Sequence, residues 1–221
     1  MSALIPIAVF DFDGTLCPGD SIVPFLSFCV HEGLAKPTQF LKAAKGFLLQ
    51  KTGRISPSQA KALTLSFLSS RSIQEIQPYA LRFVRDYLKP RIYPEAQKCL
   101  DKLHAEGYHI LVVSASTDVY MRFLPEILPV DTVLSTICET QEGQWYTGRI
   151  LSNCRDQEKV RRLLTWHEQH PQFAWPPVCA YGDSCHDVDL LRLAMHPMLV
   201  HPDKTLRQAF PDAPECSWTR H

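Results

Sequence analysis

Short, nearly continuous apolar runs punctuate the chain: "LIPIAVF" (4–10), "YHILVVS" (108–114), "DTVLSTIC" (131–138), "PVCAYGD" (177–183) and "HPMLVHP" (196–202). Each has the length and branched apolar content of a strand buried on both faces, as in a parallel sheet. Between them apolar positions fall at helical spacing, in 95–106 "EAQKCLDKLHAE" closed by Gly107, in 118–128, in 156–169 "DQEKVRRLLTWHEQ" and in 187–194 "DVDLLRLA". Strand and helix alternating through short joins predict an α/β fold. It is a Rossmann-like parallel sheet with helices on both faces and an active site at the carboxyl ends of its strands.

The alternation breaks between about residues 21 and 90. Four helical patterns follow one another there, "SIVPFLSFCVHE", "PTQFLKAAKGFLLQ", "SPSQAKALTLSFLSS" and "SIQEIQPYALRFVRDYL", separated by Gly or Pro. They predict a helical domain, 21–89, inserted into a sheet domain made of 1–20 and 90–221. Residues 139–150, "ETQEGQWYTGRI", read as a hairpin turning at Glu142-Gly143, and the tail after Phe210 reads as irregular. The stretch "KPTQFLKAAKGFLLQK" (36–51) is basic and amphipathic. It suits a helix resting on an anionic membrane, but a helix packing its apolar face internally explains the same pattern with less.

Composition narrows the class. Apolar residues make up 45% of the 221 and charged residues 21%, as in ordinary soluble globular proteins. Lys+Arg and Asp+Glu balance at 23 each, so no global basic field exists to attract nucleic acid. The eight cysteines form no CxxC pair, the N-terminal "MSALIPIAVF" lacks a basic region and a cleavage site, and no apolar run approaches the ~20 residues of a spanning helix. A cytoplasmic protein is expected, with mostly buried thiols and a small-molecule partner rather than nucleic acid or membrane.

Chemistry gathers at the predicted strand ends. In "VFDFDGTLCPGD" an apolar strand runs into Asp11 and Asp13, two carboxylates whose mutual repulsion a Mg²⁺ between them and a phosphate would relieve. "VVSAS" sets Ser114 where its hydroxyl and the N–H groups that follow, from Ala115 on, can hold phosphoryl oxygens; Ser116 lies in the same run. Taken alone, Ser114 also reads as a helix cap and Lys159 as a solvated lysine. "AYGDSCHDVDLL" ends a strand at Asp183 with Asp187 four residues on, so that one carboxylate can join a metal shell and the other orient its surroundings.

A strand with DxDGT, a strand with Ser, a Lys, and a strand with GDxxxD, in that order over residues 5–200, resemble the haloacid dehalogenase (HAD) superfamily, phosphoserine-phosphatase-like HAD-IB branch. The resemblance implies a Mg²⁺-dependent phosphatase with a helical cap at 21–89. Asp11 would be the nucleophile that forms an aspartyl-phosphate, and Asp13 the general acid and base. Mg²⁺ would be held by Asp11, the Asp13 backbone carbonyl and Asp183, with Asp187 in support, while Ser114, Ala115, Lys159, Gly14 and Thr15 bind phosphate. Asp20 stands nine positions after the nucleophile, where the branch carries an acid that contacts the substrate amino group; Ser116, Arg54 and Arg71 are further candidates for substrate recognition. Expected substrates are small phosphorylated metabolites of the phosphoserine or histidinol phosphate kind. A phosphatidylglycerophosphate (lipid) phosphatase, a phosphotransferase using the same intermediate, and a non-catalytic phosphate-binding module are the alternatives.

Overall fold

The computed structural model describes residues 4–219. Among them, strands β1 (Ile7–Phe10), β2 (His109–Thr117), β3 (Thr132–Gln141), β4 (Trp145–Ser152), β5 (Cys179–Gly182), β6 (His196–Val200) and β7 (Glu215–Cys216) form one sheet in the order β4-β3-β2-β1-β5-β6-β7. All neighbours are parallel except β3 and β4, the predicted hairpin. The chain leaves central β1 toward β2 and β3, then crosses back to β5 on the other side of β1. The order therefore reverses between β1 and β5, and the crevice beyond their carboxyl ends is where such sheets bind ligands. Every residue of β1 and β5 is buried, which accounts for their unbroken apolar sequences.

Some expectations shift at their edges. The first strand begins at Ile7, Ile5 making only an isolated bridge to Phe173. β2 continues to Thr117, and its register against β3 shifts between Ser114 and Thr117, which puts a bulge at Ala115 and Ser116. The pattern at 95–106 gives α5 (Pro94–Ala105), and that at 118–128 yields a short α6 (Asp118–Met121) followed by a 3-10 turn, Leu124–Glu126, with Pro125 near its start. The described tail, 211–219, is irregular apart from the two-residue β7 that lengthens the sheet.

The helices of the inserted stretch are α1 (Ile22–His31), α2 (Gln39–Lys51), α3 (Pro57–Leu65) and α4 (Ile73–Arg82), the last continuing into a π turn, Phe83–Leu88. Ser56 and Gln59 form a capping box at the start of α3, and Ser72 caps α4, as their Ser-initiated sequences suggest. Phe25, Leu26, Leu68, Ile76, Phe83 and Val84 lie in the same buried cluster as Phe10 and Phe12 of the sheet domain. Phe25 and Phe83 pack their rings against Tyr120 of α6 at 4.9 and 5.2 Å between centroids. Helix α2 departs from the economical expectation of internal packing. It buries only Gln39 and Gly46, where an added Cβ would lie 3.1 Å from the Ala60 carbonyl oxygen of α3, and Leu41, Phe47 and Leu48 stand exposed. Among the described residues no helix is long and apolar enough to cross a membrane. All eight cysteines are free thiols, five buried and Cys185 exposed.

Candidate active site

Asp11 follows β1 directly, its N–H donating to the Tyr181 carbonyl of β5 at 3.0 Å, so the β1–β5 pairing fixes its position. Lys159 lies in the first turn of α7 (Gln157–Gln169) and points back into the crevice. It is only 2% exposed, and its Nζ donates to Asp11 Oδ1 at 2.5 Å and to Asp187 Oδ1 at 2.6 Å. Burial works against its charge, but the two carboxylates outweigh that and hold its pKa above the ordinary lysine range. The reading of Lys159 as a solvated residue is thereby excluded.

Asp183 enters from the end of β5. Its Oδ1 accepts from Thr15 Oγ1 at 3.3 Å, and a Cβ on Gly14 would sit 2.2 Å from its Oδ2. Gly14 at φ +84 thus combines a left-handed backbone with the close approach of a carboxylate. The N–H groups of Gly14 and Thr15, both expected at the phosphate, donate to Cys17 O and Phe12 O, and the two residues also seat Asp183. Asp187 is fully engaged: Oδ1 takes Lys159, and Oδ2 accepts from Ser184 N and Oγ at 3.1 Å and from Asp183 N at 3.3 Å. Gly182 allows this, since a Cβ there would meet the Asp187 Cβ at 2.6 Å.

One oxygen from each of Asp11, Asp183 and Asp187 lies within 4.8 Å of the others. Burial raises the Asp11 carboxyl to about 6 against the pull of Lys159, and burial together with the Asp11 and Asp187 charges raises Asp183 to about 8. Clustered hard oxygen donors, with the charged forms of Asp11 and Asp183 disfavoured by burial and by neighbouring carboxylates, suit a hard divalent cation such as Mg²⁺. With both oxygens of Asp187 engaged, Asp11 and Asp183 are the carboxylates suited to contact the ion directly.

Asp13 faces a different set of partners. Its Oδ2 accepts from Ser21 Oγ at 3.1 Å and, more closely, from Ser116 Oγ, whereas its buried Oδ1 has no protein partner. Ser21 Oγ also lies 2.8 Å from Ser116 Oγ and 2.7 Å from the Tyr120 hydroxyl, which donates to Ser116 at 3.0 Å. The Phe25–Phe83 packing holds the Tyr120 ring that completes this hydroxyl cluster. Burial, with the Asp20 charge adding to it, raises the Asp13 carboxyl to about 7. Ser114 is buried next to this group, its Oγ accepting the Ser116 N–H at 3.0 Å across the bulge.

A cavity of about 590 Å³ adjoins the site. Phe40 and Phe47 wall one side, and Asp20, Lys61, Asn153 and Arg155 supply its polar side. Lys61 of α3 donates to Asn153 Oδ1 at 2.6 Å, to Thr136 Oγ1 at 3.2 Å and to the Ala115 carbonyl, joining the cavity to the β2 bulge. Burial lowers its pKa to about 8. Arg155 donates to His186 Nε2 at 2.5 Å, and His186 Nδ1 donates to Asp156 at 2.7 Å. Asp20 lines the cavity while its Oδ1 accepts from Ile22 N at the start of α1. Arg54 and Arg71 do not line it. Arg71 is committed to Glu75 and the Leu34 carbonyl, and Arg54 is exposed after α2. Sequence reasoning missed Ser21, Tyr120, Lys61 and Arg155; a hydroxyl or cation on a helix carries no local sign of what it reaches.

A carboxylate cluster and a buried lysine thus meet in the switch-point crevice, the place where α/β enzymes carry their active sites. The chain belongs to the haloacid dehalogenase-like hydrolase family, which matches residues 8–192. It is 24% identical over 216 residues to a histidinol-phosphatase of Neisseria meningitidis serogroup C, covering 96% of each chain. A Bordetella pertussis Tohama I protein of unknown function has the same fold at TM-score 0.85, with 24% identity and 97% and 99% of the two chains covered. A phosphoserine phosphatase solved as a phospho-aspartyl intermediate analogue matches at TM-score 0.65, with 18% identity and 98% and 95% covered.

Proposed function

We propose that this enzyme is a Mg²⁺-dependent phosphatase that hydrolyses a small phosphomonoester through a phosphorylated Asp11. The observation that carries the reading is the buried Asp11–Lys159–Asp187 arrangement at the β1–β5 switch point. Asp11 would attack phosphorus while the bond to the leaving oxygen breaks, and Asp13 would donate its proton to that oxygen. Asp13 would then take a proton from the water that attacks the aspartyl-phosphate. A carboxyl raised to about 7 can serve as both acid and base near neutrality. Lys159 and the Ser114 hydroxyl would hold the phosphoryl oxygens. Mg²⁺ held by Asp11, Asp183 and the Asp13 carbonyl would offset repulsion between the carboxylate and the incoming dianion.

Residues 21–89 would act as a cap whose walls bound the leaving group. The Asp20 carboxylate in the cavity suits an amino group, which together with the Neisseria relative makes histidinol phosphate and phosphoserine the first substrates to test. The Phe40 and Phe47 wall favours phosphatidylglycerophosphate as a second reading. Phosphate released from these three and from sugar phosphates, measured with and without EDTA and with Asp11→Asn, tests the proposal. Chelator-sensitive release that Asp11→Asn abolishes supports it, whereas turnover retained by that variant overturns the assignment of the nucleophile.

A further inference from the structure

The chain is neutral overall, yet no Asp or Glu occurs between Gly33 and Gln74, a stretch carrying seven Lys and Arg. Lys36, Lys42, Lys45, Lys51 and Arg54 are exposed. Apolar side chains stand among them: Leu41 is 71%, Phe47 69% and Leu48 62% exposed, and Val23, which lines the cavity with Phe47, is 52% exposed. The spacing explains the layout. Gln39, Ala43, Gly46 and Gln50 fall on the α2 face turned to α3, which puts Leu41 and Leu48 on the opposite face and Phe40 and Phe47 on the flank that walls the cavity. An exposed apolar stripe interleaved with lysines, with no acid on α2 or α3 and Asp20 as the one carboxylate lining the adjoining cavity, matches a surface that is apolar beneath and anionic on top.

We propose that the α2–α3 hairpin docks on the surface of an anionic lipid bilayer, Leu41, Phe47 and Leu48 entering the interface and the lysines meeting the headgroups. Charge decides between this occupant and a second copy. A two-fold contact through the same face would set its uncompensated cations against themselves, whereas an anionic leaflet attracts each of them. Phe40, Phe47 and Val23 both line the cavity and are exposed, so its mouth opens on the docking face.

The inference is independent of the reaction, and its test needs no turnover. The full chain is sedimented with sucrose-loaded vesicles of phosphatidylcholine alone or with about a third phosphatidylserine. Binding is expected only to the anionic vesicles, with release in ~1 M NaCl, where the Debye length falls to about 3 Å. The Leu41→Asp/Leu48→Asp variant should reduce the bound fraction about tenfold or more, as should Lys42→Gln/Lys45→Gln/Lys51→Gln, both with an unchanged circular dichroism spectrum. Failure of the unaltered protein to bind, binding that survives both variants, or a dimer in sedimentation velocity that Leu41→Asp/Leu48→Asp dissociates would each overturn the proposal, the last in favour of a second copy.

Discussion

Ser21, at the entry to α1, donates its hydroxyl to Asp13 Oδ2 at 3.1 Å, so the first of the four helices that follow β1 meets the Asp13 carboxyl directly. A donor to the carboxylate favours the charged form and holds the pKa below what burial alone would impose. Removing it in Ser21→Ala should raise the Asp13 pKa. In the proposed mechanism Asp13 donates to the leaving group only when protonated, so the alkaline limb of the kcat/KM profile should move to higher pH. A limb that stays in place or moves to lower pH contradicts this role for the contact.

Lys159 pairs with two buried carboxylates at once. Lys159→Met leaves Asp11 and Asp187 without their cation, and breaking a buried pair in this way costs about 3–5 kcal/mol. Urea denaturation should register that loss, and p-nitrophenyl phosphate hydrolysis should fall to background. Unchanged stability would mean that the carboxylates are not held by the lysine in solution.

Gly14→Ala should act on the metal site. The new methyl would press on the Asp183 carboxylate in a backbone conformation that L side chains rarely adopt, at a cost of about 1–3 kcal/mol. The Mg²⁺ concentration for half-maximal activity should rise. Gly19→Ala is the control: φ is +76, but nothing lies within 4 Å of its added Cβ, so it carries the backbone cost without displacing Asp183.

The carboxyl shifts also predict how stability without metal varies with pH. Asp11, Asp13 and Asp183 have folded-state pKa values raised from 3.8 to about 6, 7 and 8. The folded state therefore holds these protons more tightly than the unfolded chain, a contribution fully present below pH 3.8 and lost as pH rises through 6 to 8. In EDTA, Tm should fall between pH 5 and pH 8, and added Mg²⁺ should restore most at the alkaline end. A Tm in EDTA that rises over that interval would contradict the burial of these groups.

The parallel sheet, the hairpin at Glu142-Gly143 and the insertion of helices after the first strand were legible because each rests on local periodicity or turn chemistry. Asp11 and Asp183 were legible because they follow strands β1 and β5 directly, and Asp187 because it stands four residues after Asp183 at the next helical turn. Lys159 could be singled out only through the family pattern, since nothing in "DQEKVRR" distinguishes a buried lysine from its solvated neighbours. Ser21, Tyr120 and Lys61 were not legible, as their roles depend on partners 95, 99 and 54 residues away. Helix α2 shows the converse: its amphipathic pattern was plain, but whether the apolar face was covered depended on Gly46 bringing α3 against the opposite side.

The packing of Phe25 and Phe83 on Tyr120 bears on how this enzyme can be rebuilt. A chimaera that takes residues 21–89 from a relative must also bring a compatible residue at position 120. Without it the graft loses the joint between donor and host, and with it the hydroxyl that reaches Ser21 and Ser116.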